Sequence, residues 1–276
     1  MKKIIAFFLM FISSATLFAQ QKLIVGSFNI PLRSATGNLW EDRKQPIIDF
    51  LNYYGWEIFG VQEAQYNQLL DICHLLPNYA YVGVSRDDGS NKGEHSAIIY
   101  NQQLFKLIDS GTFWLSETDL HQANKGWDAA YPRICTWGIF EDLRKGKKIL
   151  FMNTHLDHLG EVSRLESIKL ILHKSKEIGK NLPTILTGDF NFDEHSAAYA
   201  SLSKDGSLKD SYQMSKIVYE PNSTFHGWGQ AFKEKSRIDH IFLSKHFRTH
   251  KYGILTSTFM GHYLSDHFPI MAEIYW

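Results

Sequence analysis

An α+β fold, with two packed sheets and helices laid outside them as a four-layer sandwich, is what this sequence predicts, on three observations. Nine strand-like apolar runs outnumber the helical patterns. Each helical pattern has a single apolar face, which a sheet must cover. No Pro-, Ser- or Gly-rich linker, internal repeat or low-complexity run divides residues 20–276, so these are expected to form one domain.

The strand-like runs are 22–30, 57–62, 79–84, 96–100, 134–141, 148–154, 184–187, 238–243 and 268–275. Between the first two a helix is predicted over 43–54. Ile47, Ile48, Leu51 and Tyr54 share one side of it, Pro46 falls in its first turn and Gly55 stops it. A second helix is predicted from Ser163, because Ser163-Arg164-Leu165-Glu166 has the capping-box spacing and Leu165, Ile168, Ile171 and Leu172 follow at helical intervals. His173 and Lys174 should face water from it. Cys73 shares a helix face with Leu69, Leu70 and Leu76 and reads as core, not as half of a disulfide with Cys135. Two long polar stretches, 85–94 and 116–133, are loops of a length that usually carries function, here as walls of a cleft.

Residues 1–19 read as a secretory signal peptide: Lys2 and Lys3, a mostly apolar run over 4–18, and Ala19 before the polar Gln20-Gln21-Lys22. The run is short for a membrane span of ~20 residues, so an exported protein, periplasmic or secreted and without stable membrane insertion, is expected. The mature chain would carry 27 basic and 29 acidic side chains, a net charge of −2 with His neutral. That balance argues against a dedicated nucleic-acid binder, which normally shows a basic surface, whereas a small phosphate ligand needs only local positive charge.

Six segments place an Asn, an acid or a His at or near strand ends: Ser27-Phe28-Asn29-Ile30, Val61-Gln62-Glu63, Asn153-Thr154-His155, Gly188-Asp189-Phe190-Asn191, Arg237-Ile238-Asp239-His240 and Ser265-Asp266-His267. Hydrolysis of a phosphate ester needs a cation on the phosphoryl oxygens, an aligned water and stabilisation of the leaving oxygen. Glu63 is the candidate principal ligand of a hard divalent ion, with Asn29 and Asp266 as helpers; Mg²⁺ takes only one or two protein carboxylates and keeps several waters. Asp189 and Asn191 lie two apart, so an extended chain points both to one face while Phe190 turns to the core. Asp189 then suits orienting or deprotonating water, and Asn191 holding a phosphate oxygen; an Asx-type turn is the competing reading. His155 and His267 are candidate charge-neutralising or proton-donating groups, with Asp239 orienting His267 and Glu94 orienting His155. Neither cysteine has a neighbour at zinc-ligand spacing, and no H-E-x-x-H or G-x-S-x-G occurs.

In this order the segments resemble those of the endonuclease/exonuclease/phosphatase superfamily, which includes DNase I-like nucleases, apurinic endonucleases, bacterial sphingomyelinases, deadenylases and inositol-phosphate phosphatases. The most specific pieces are Gly188-Asp189-Phe190-Asn191 and Ser265-Asp266-His267-Phe268-Pro269. The resemblance implies an α/β/β/α DNase I-like sandwich, Mg²⁺ or Mn²⁺ dependence and phosphoester hydrolysis. It implies Asn29 and Glu63 as the metal-site pair, Asp266 as the acid near the metal and His155 as the first catalytic histidine. It also implies Asp189 with Asn191 as the water- and phosphate-handling pair, Asp239 behind the second histidine His267, and Glu94 as the acid supporting His155. Tyr131-Pro132-Arg133-Ile134-Cys135-Thr136-Trp137 resembles a segment of bacterial branches, in which Arg133 forks onto a phosphate; a surface ion pair is the other reading of Arg133. Asn29 is followed by Ile30-Pro31-Leu32, without the acid that apurinic endonucleases usually carry there.

The expected function is that of an exported, divalent-metal-dependent phosphodiesterase or phosphatase, acting as a monomer on a phosphoester that is a small molecule, a lipid head group or a nucleic acid. Trp127, Tyr131 and Trp228 are candidates for an apolar or sugar-facing wall. The alternatives are a secreted DNA or RNA endonuclease and a catalytically inactive module that binds a phosphate ligand.

Overall fold

The computed structural model describes residues 21–32, 39–233 and 236–276; the predicted signal peptide, 1–19, lies outside them. The first half of the chain runs β1 (Lys22–Asn29), α1 (Trp40–Tyr54), β2 (Ile58–Ala64), α2 (Tyr66–Leu75), β3 (Tyr79–Val82) and β4 (His95–Asn101). Next come β5 (Phe105–Trp114), β6 (Ile134–Asp142), β7 (Lys147–His155), α3 (Glu161–Gly179), β8 (Thr184–Asp189), α4 (Ala197–Asp205), β9 (Leu208–Asp210), α5 (Ser211–Met214) and β10 (Ile217–Tyr219). A 3₁₀ turn (Gly227–Gly229) precedes β11 (Asp239–Ser244), β12 (Arg248–Ile254), the small hairpin β13 (Thr258–Phe259) and β14 (His262–Tyr263), and β15 (Ile270–Tyr275).

Two large sheets form, in the orders β10-β12-β15-β1-β2-β4-β3 and β5-β6-β7-β8-β11-β9. Each is built around a parallel pair, β1 with β2 and β7 with β8, joined by a helical crossover through α1 and α3 respectively. Strand alternation then separates three apolar layers. Leu23, Val25, Ile58 and Ile98 from one sheet meet Ile149, Phe151, Ile185 and Ile241 from the other. Phe28, Phe59 and Val61 turn outward onto Ile47, Ile48 and Leu51 of α1 and Leu69 and Ile72 of α2. Leu150, Met152, Leu186 and Phe242 turn outward onto Ile168, Ile171 and Leu172 of α3 and Leu202 of α4. The α/β/β/α sandwich is thus the expected one.

All nine expected strand runs are strands, with ends moved by one or two residues. The remaining strands were not anticipated. In β5 the register slips between Leu107 and Asp109, and this bulge breaks the apolar alternation that would have marked a strand. Helix α1 starts earlier than the 43–54 pattern implied: Trp40 is buried, its indole Nε1 donates to Asp71 Oδ2 at 2.7 Å, and Glu41 and Asp42 suit the first turn. Pro46 therefore sits in the second turn, not the first. Helix α3 begins at Glu161, not Ser163, and the capping box does not form. Asp128, from the 116–133 loop, instead accepts from Ser163 N at 2.6 Å and Val162 N at 3.2 Å. Both cysteines are free; Cys135 is buried and Cys73 only half so.

Candidate active site

The chemistry-bearing ends of the strands converge at one end of the sandwich. The parallel pairs bring Asn29, Glu63, His155 and Asp189 to the carboxyl ends of their strands. The antiparallel neighbours arrive with Asp239 opposite Asp189 in register, and with Asp266 and His267 just ahead of β15. Glu63, Asp189, Asn191, His155, Asp266 and His267 line one open cleft of about 350 Å³. Asn29 and Asp239 stand buried behind it, bonded to residues that line it.

Glu63 enters the cleft through a departure from regular strand geometry. Pairing of β2 with β4 shifts between Val61 and Ala64, and Glu63 adopts φ 57°, a left-handed conformation that costs a non-glycine residue of order 1–3 kcal/mol. The bulge re-aims the carboxylate from the helix-facing side toward the sheet end. Asn29 Nδ2 donates to Glu63 Oε1 and to Asp189 Oδ2, both at 3.0 Å. Burial raises the Glu63 carboxyl pKa, opposed by the Asn29 hydrogen bond.

Asp189 satisfies both readings of its segment. Its Oδ1 accepts from Asn191 N at 3.0 Å, closing an Asx turn that sets Asn191 at φ 50°, while Phe190 packs in the outer core as expected. Its Oδ2 faces Asn29 Nδ2 at 3.0 Å, His155 Nε2 at 3.5 Å and His267 Nε2 at 3.6 Å. Burial, and then the charge of Asp239, push the Asp189 carboxyl up to about 6. His267 Nδ1 donates to Asp239 Oδ2 at 2.9 Å. Burial would lower the His267 pKa, but Asp239, Asp189 and Asp266 together hold it well above the usual imidazole value.

His155 is held differently from the sequence expectation. Asn191 Nδ2 donates to its Nε2 at 3.1 Å and to Leu156 O at 2.9 Å, and its buried Nδ1 has no partner. Burial, followed by the charges of Arg133 and Arg86, keeps His155 neutral by pulling its pKa well down. Glu94 does not support it. Its Oε2 pairs with Arg86 Nη2 at 2.9 Å, because backbone pairing of Arg86 N with Glu94 O, also 2.9 Å, makes the two residues the neck of one loop.

Arg133 is in an ion pair, but a buried one: Nε donates to Asp157 Oδ2 at 3.2 Å and Nη2 to His158 Nδ1 at 3.2 Å. Its buried Nη1 has no partner, and the residue lines the cleft. Of the three expected wall aromatics only Tyr131 lines it; Trp228 packs beneath Arg43 at 5.0 Å, and Trp127 sits elsewhere in its loop. Arg86 and His158 line the cleft without having been singled out. The signal for Arg86 was its place in the polar 85–94 stretch; nothing marked His158 among 13 histidines.

The donors fit a hard divalent cation. Asn29 Oδ1 is buried without a protein partner, Glu63 is a carboxylate whose neighbours include the charges of Asp266 and Asp189, and the set is rich in oxygen. Among the described residues, ligand atoms of Glu63, His155 and Asp189 lie within 4.8 Å of one another, as do those of Asp189, Asp239 and His267. Asp266 lines the cleft without joining either group. Arg43 braces this corner from α1, donating to Leu264 O at 2.9 Å and Pro31 O at 2.6 Å, while Ser265 Oγ donates to Asn29 O at 2.6 Å.

A four-layer sandwich with an acid-histidine-acid chain beside an oxygen-rich group able to hold a metal is the arrangement of a metal-dependent phosphoester hydrolase. The chain belongs to the endonuclease/exonuclease/phosphatase family, whose sequence model matches residues 26–267. A family protein from Bacteroides thetaiotaomicron is similar at 41% identity and a TM-score of 0.90, over 94% of this chain and 99% of that one. The mannosyl-6-phosphatase of the same species is 43% identical with a TM-score of 0.88, over 92% and 100%. The human Nocturnin catalytic domain, at 22% identity and a TM-score of 0.72 over 94% and 98%, shares the fold. No curated protein matches the chain.

Proposed function

We propose that the protein is an exported, Mg²⁺- or Mn²⁺-dependent phosphatase acting on small phosphate monoesters. The observation that carries this reading is the Asp189–His267–Asp239 chain opening onto the same cleft as Glu63 and Arg133, whose buried Nη1 has no protein partner. A monoester is nearly a dianion, so it gains more than a diester from a fixed guanidinium and a protonated imidazole beside the phosphorus. The cleft volume suits one small molecule, and the mannosyl-6-phosphatase neighbour acts, by its name, on a phosphorylated sugar.

Asp189, raised toward neutrality, positions a water and accepts its proton. His267, kept protonated and aligned by Asp239, neutralises charge developing on the phosphoryl group as the water oxygen bonds to phosphorus and the ester P–O bond breaks, the departing alkoxide taking a proton from solvent. Asn191 and Arg133 orient phosphate oxygens, and His155 stays neutral as a hydrogen-bonding partner. A divalent ion held by Glu63 with Asn29 and Asp266 would supply Lewis-acid polarisation of the phosphoryl group. Export rests on the 1–19 sequence pattern, and no helix among the described residues is long and apolar enough to cross a membrane.

The test is metal-dependent release of p-nitrophenol from p-nitrophenyl phosphate and from its bis-p-nitrophenyl diester. Asp189→Ala and His267→Ala should each lower kcat by ~10²–10⁴-fold with the circular dichroism spectrum retained. Turnover insensitive to both substitutions would remove the hydrolytic reading, and a diester turned over faster than the monoester would remove the monoesterase one. Recovery of a mature protein beginning at residue 20 outside the cytoplasm would support export; recovery only in the cytoplasm, with Met1 intact, would contradict it.

A further inference from the structure

The wall of the cleft facing the reacting groups is made of Arg86, Glu94, Tyr131, Arg133 and His158. Its segments are cross-linked to one another and to the sheet behind them. Arg86 and Glu94 are joined twice, through their backbones at 2.9 Å and through their side chains at 2.9 Å. Trp114 Nε1 donates to Arg86 O at 2.8 Å, anchoring that neck to β5. The Arg86 guanidinium lies 5.4 Å over the Tyr131 ring, and Tyr131 stacks on His158 at 5.8 Å and 20°, so the 85–94 loop, the 116–133 loop and the segment after β7 form one surface. Arg86 Nε is buried and has no hydrogen-bond partner.

This wall is chemically mixed. Arg133 brings a buried Nη1 without a protein partner, but Glu94 lines the same cleft with a carboxylate, which when ionised only accepts hydrogen bonds. A substrate with a second phosphate at that position would meet Glu94 as a like charge. A neutral group rich in hydroxyls meets the opposite: the carboxylate accepts from hydroxyls, the guanidinium donates to them, and a charge-assisted hydrogen bond of this kind is about twice as strong as a neutral one. Because the pair is fixed before the ligand arrives, little side-chain entropy is lost on binding.

Building on the phosphatase reading, we propose that the Arg86–Glu94 pair recognises the hydroxyl groups of the leaving group, so that the substrate class is sugar or polyol phosphate monoesters. Glu94 thereby serves substrate selection, in place of the His155-supporting part its sequence position suggests. The free carbon skeleton of the sugar has Tyr131, half exposed at the cleft mouth, to rest against.

The experiment compares mannose 6-phosphate, adenosine 5′-monophosphate and p-nitrophenyl phosphate on the Mg²⁺-loaded enzyme, and on Glu94→Gln and Arg86→Gln. The wild type should prefer mannose 6-phosphate to the nucleotide in kcat/KM. Each substitution should lower kcat/KM for mannose 6-phosphate at least tenfold more than for p-nitrophenyl phosphate, with the excess in KM. Calorimetric binding of mannose 6-phosphate to the Asp189→Asn protein gives a readout that does not need turnover: adding Glu94→Gln should weaken it at least tenfold more than it weakens binding of inorganic phosphate. Equal losses on both substrates would place Glu94 at the reaction centre and overturn the proposal, as would a wild-type preference for the nucleotide. Absence of p-nitrophenyl phosphate hydrolysis would strike the phosphatase reading alone, since the calorimetric comparison still decides between a sugar-reading and an indifferent wall.

Discussion

Asp189 gives one oxygen to a turn and the other to the cleft, which is why the two readings of Gly188-Asp189-Phe190-Asn191 are not alternatives. The sequence located this residue and its neighbours because local spacing decides where their side chains point. It also placed Asp239 behind His267 through the resemblance, and the 2.9 Å contact bears that geometry out. Replacing Asp239 by Asn should lower kcat by ~10²-fold or more and bring down the His267 pKa, since a neutral amide removes the first of the charges that raise it. The imidazole should then lose its proton at lower pH than in the wild type, which proton NMR titration of the metal-free protein would follow; an unmoved His267 resonance would exclude Asp239 as the cause. Glu94 was misassigned because its fate depends on Arg86 across a loop neck, a pairing that no spacing rule encodes.

Helix boundaries show the same limit among elements. The 163–166 pattern has the right residues for a capping box, yet an earlier start buries Ser163 inside α3 and hands the free N–H groups to Asp128. Asp128→Ala should cost about 1 kcal/mol in urea unfolding, while Glu166→Ala, the change that would break the box, should cost less. At the other flank of the second sheet, β9 and β11 are locked by a buried polar set in which Arg237 Nη1 donates to Asp210 Oδ2 at 3.0 Å and His240 lies 3.7 Å away. Burial would push the Asp210 carboxyl up, but His240 and Arg237 outweigh it and hold it at about 2. A carboxyl depressed on folding contributes stability that is full above its unfolded pKa of ~3.9 and is lost as pH falls through the folded value. The protein should therefore lose on the order of 2 kcal/mol from this group between about pH 4 and 2. Asp210→Asn, although less stable at neutral pH, should show a shallower decline there; parallel curves would rule Asp210 out as the source.

Across the whole molecule, the two sheets are tied together at their polar end by Asn153. From β7 its Nδ2 donates to Val61 O and Ala97 O of the opposite sheet, each at 2.9 Å, and its Oδ1 accepts from Gln62 Nε2 at 2.7 Å and Thr187 Oγ1 at 3.0 Å. Gly60 makes room for the crossing, since a Cβ there would stand 2.2 Å from Asn153 Oδ1. Asn153→Ala would leave several buried groups unsatisfied, and should cost at least ~3 kcal/mol in chemical unfolding, more than a surface Asn→Ala change by a wide margin. In Asn153-Thr154-His155 the spacing points to chemistry in the histidine, while the asparagine is scaffolding. Nine strands, two helices and the set of polar strand ends were written into the chain itself, because apolar periodicity and residue spacing act over a few residues. Which face Glu63 meets, that Glu94 joins Arg86, that Asp128 caps α3 and that Asn153 bridges the sheets were decided only on packing, because each depends on groups brought together from distant parts of the chain by burial of the three apolar layers.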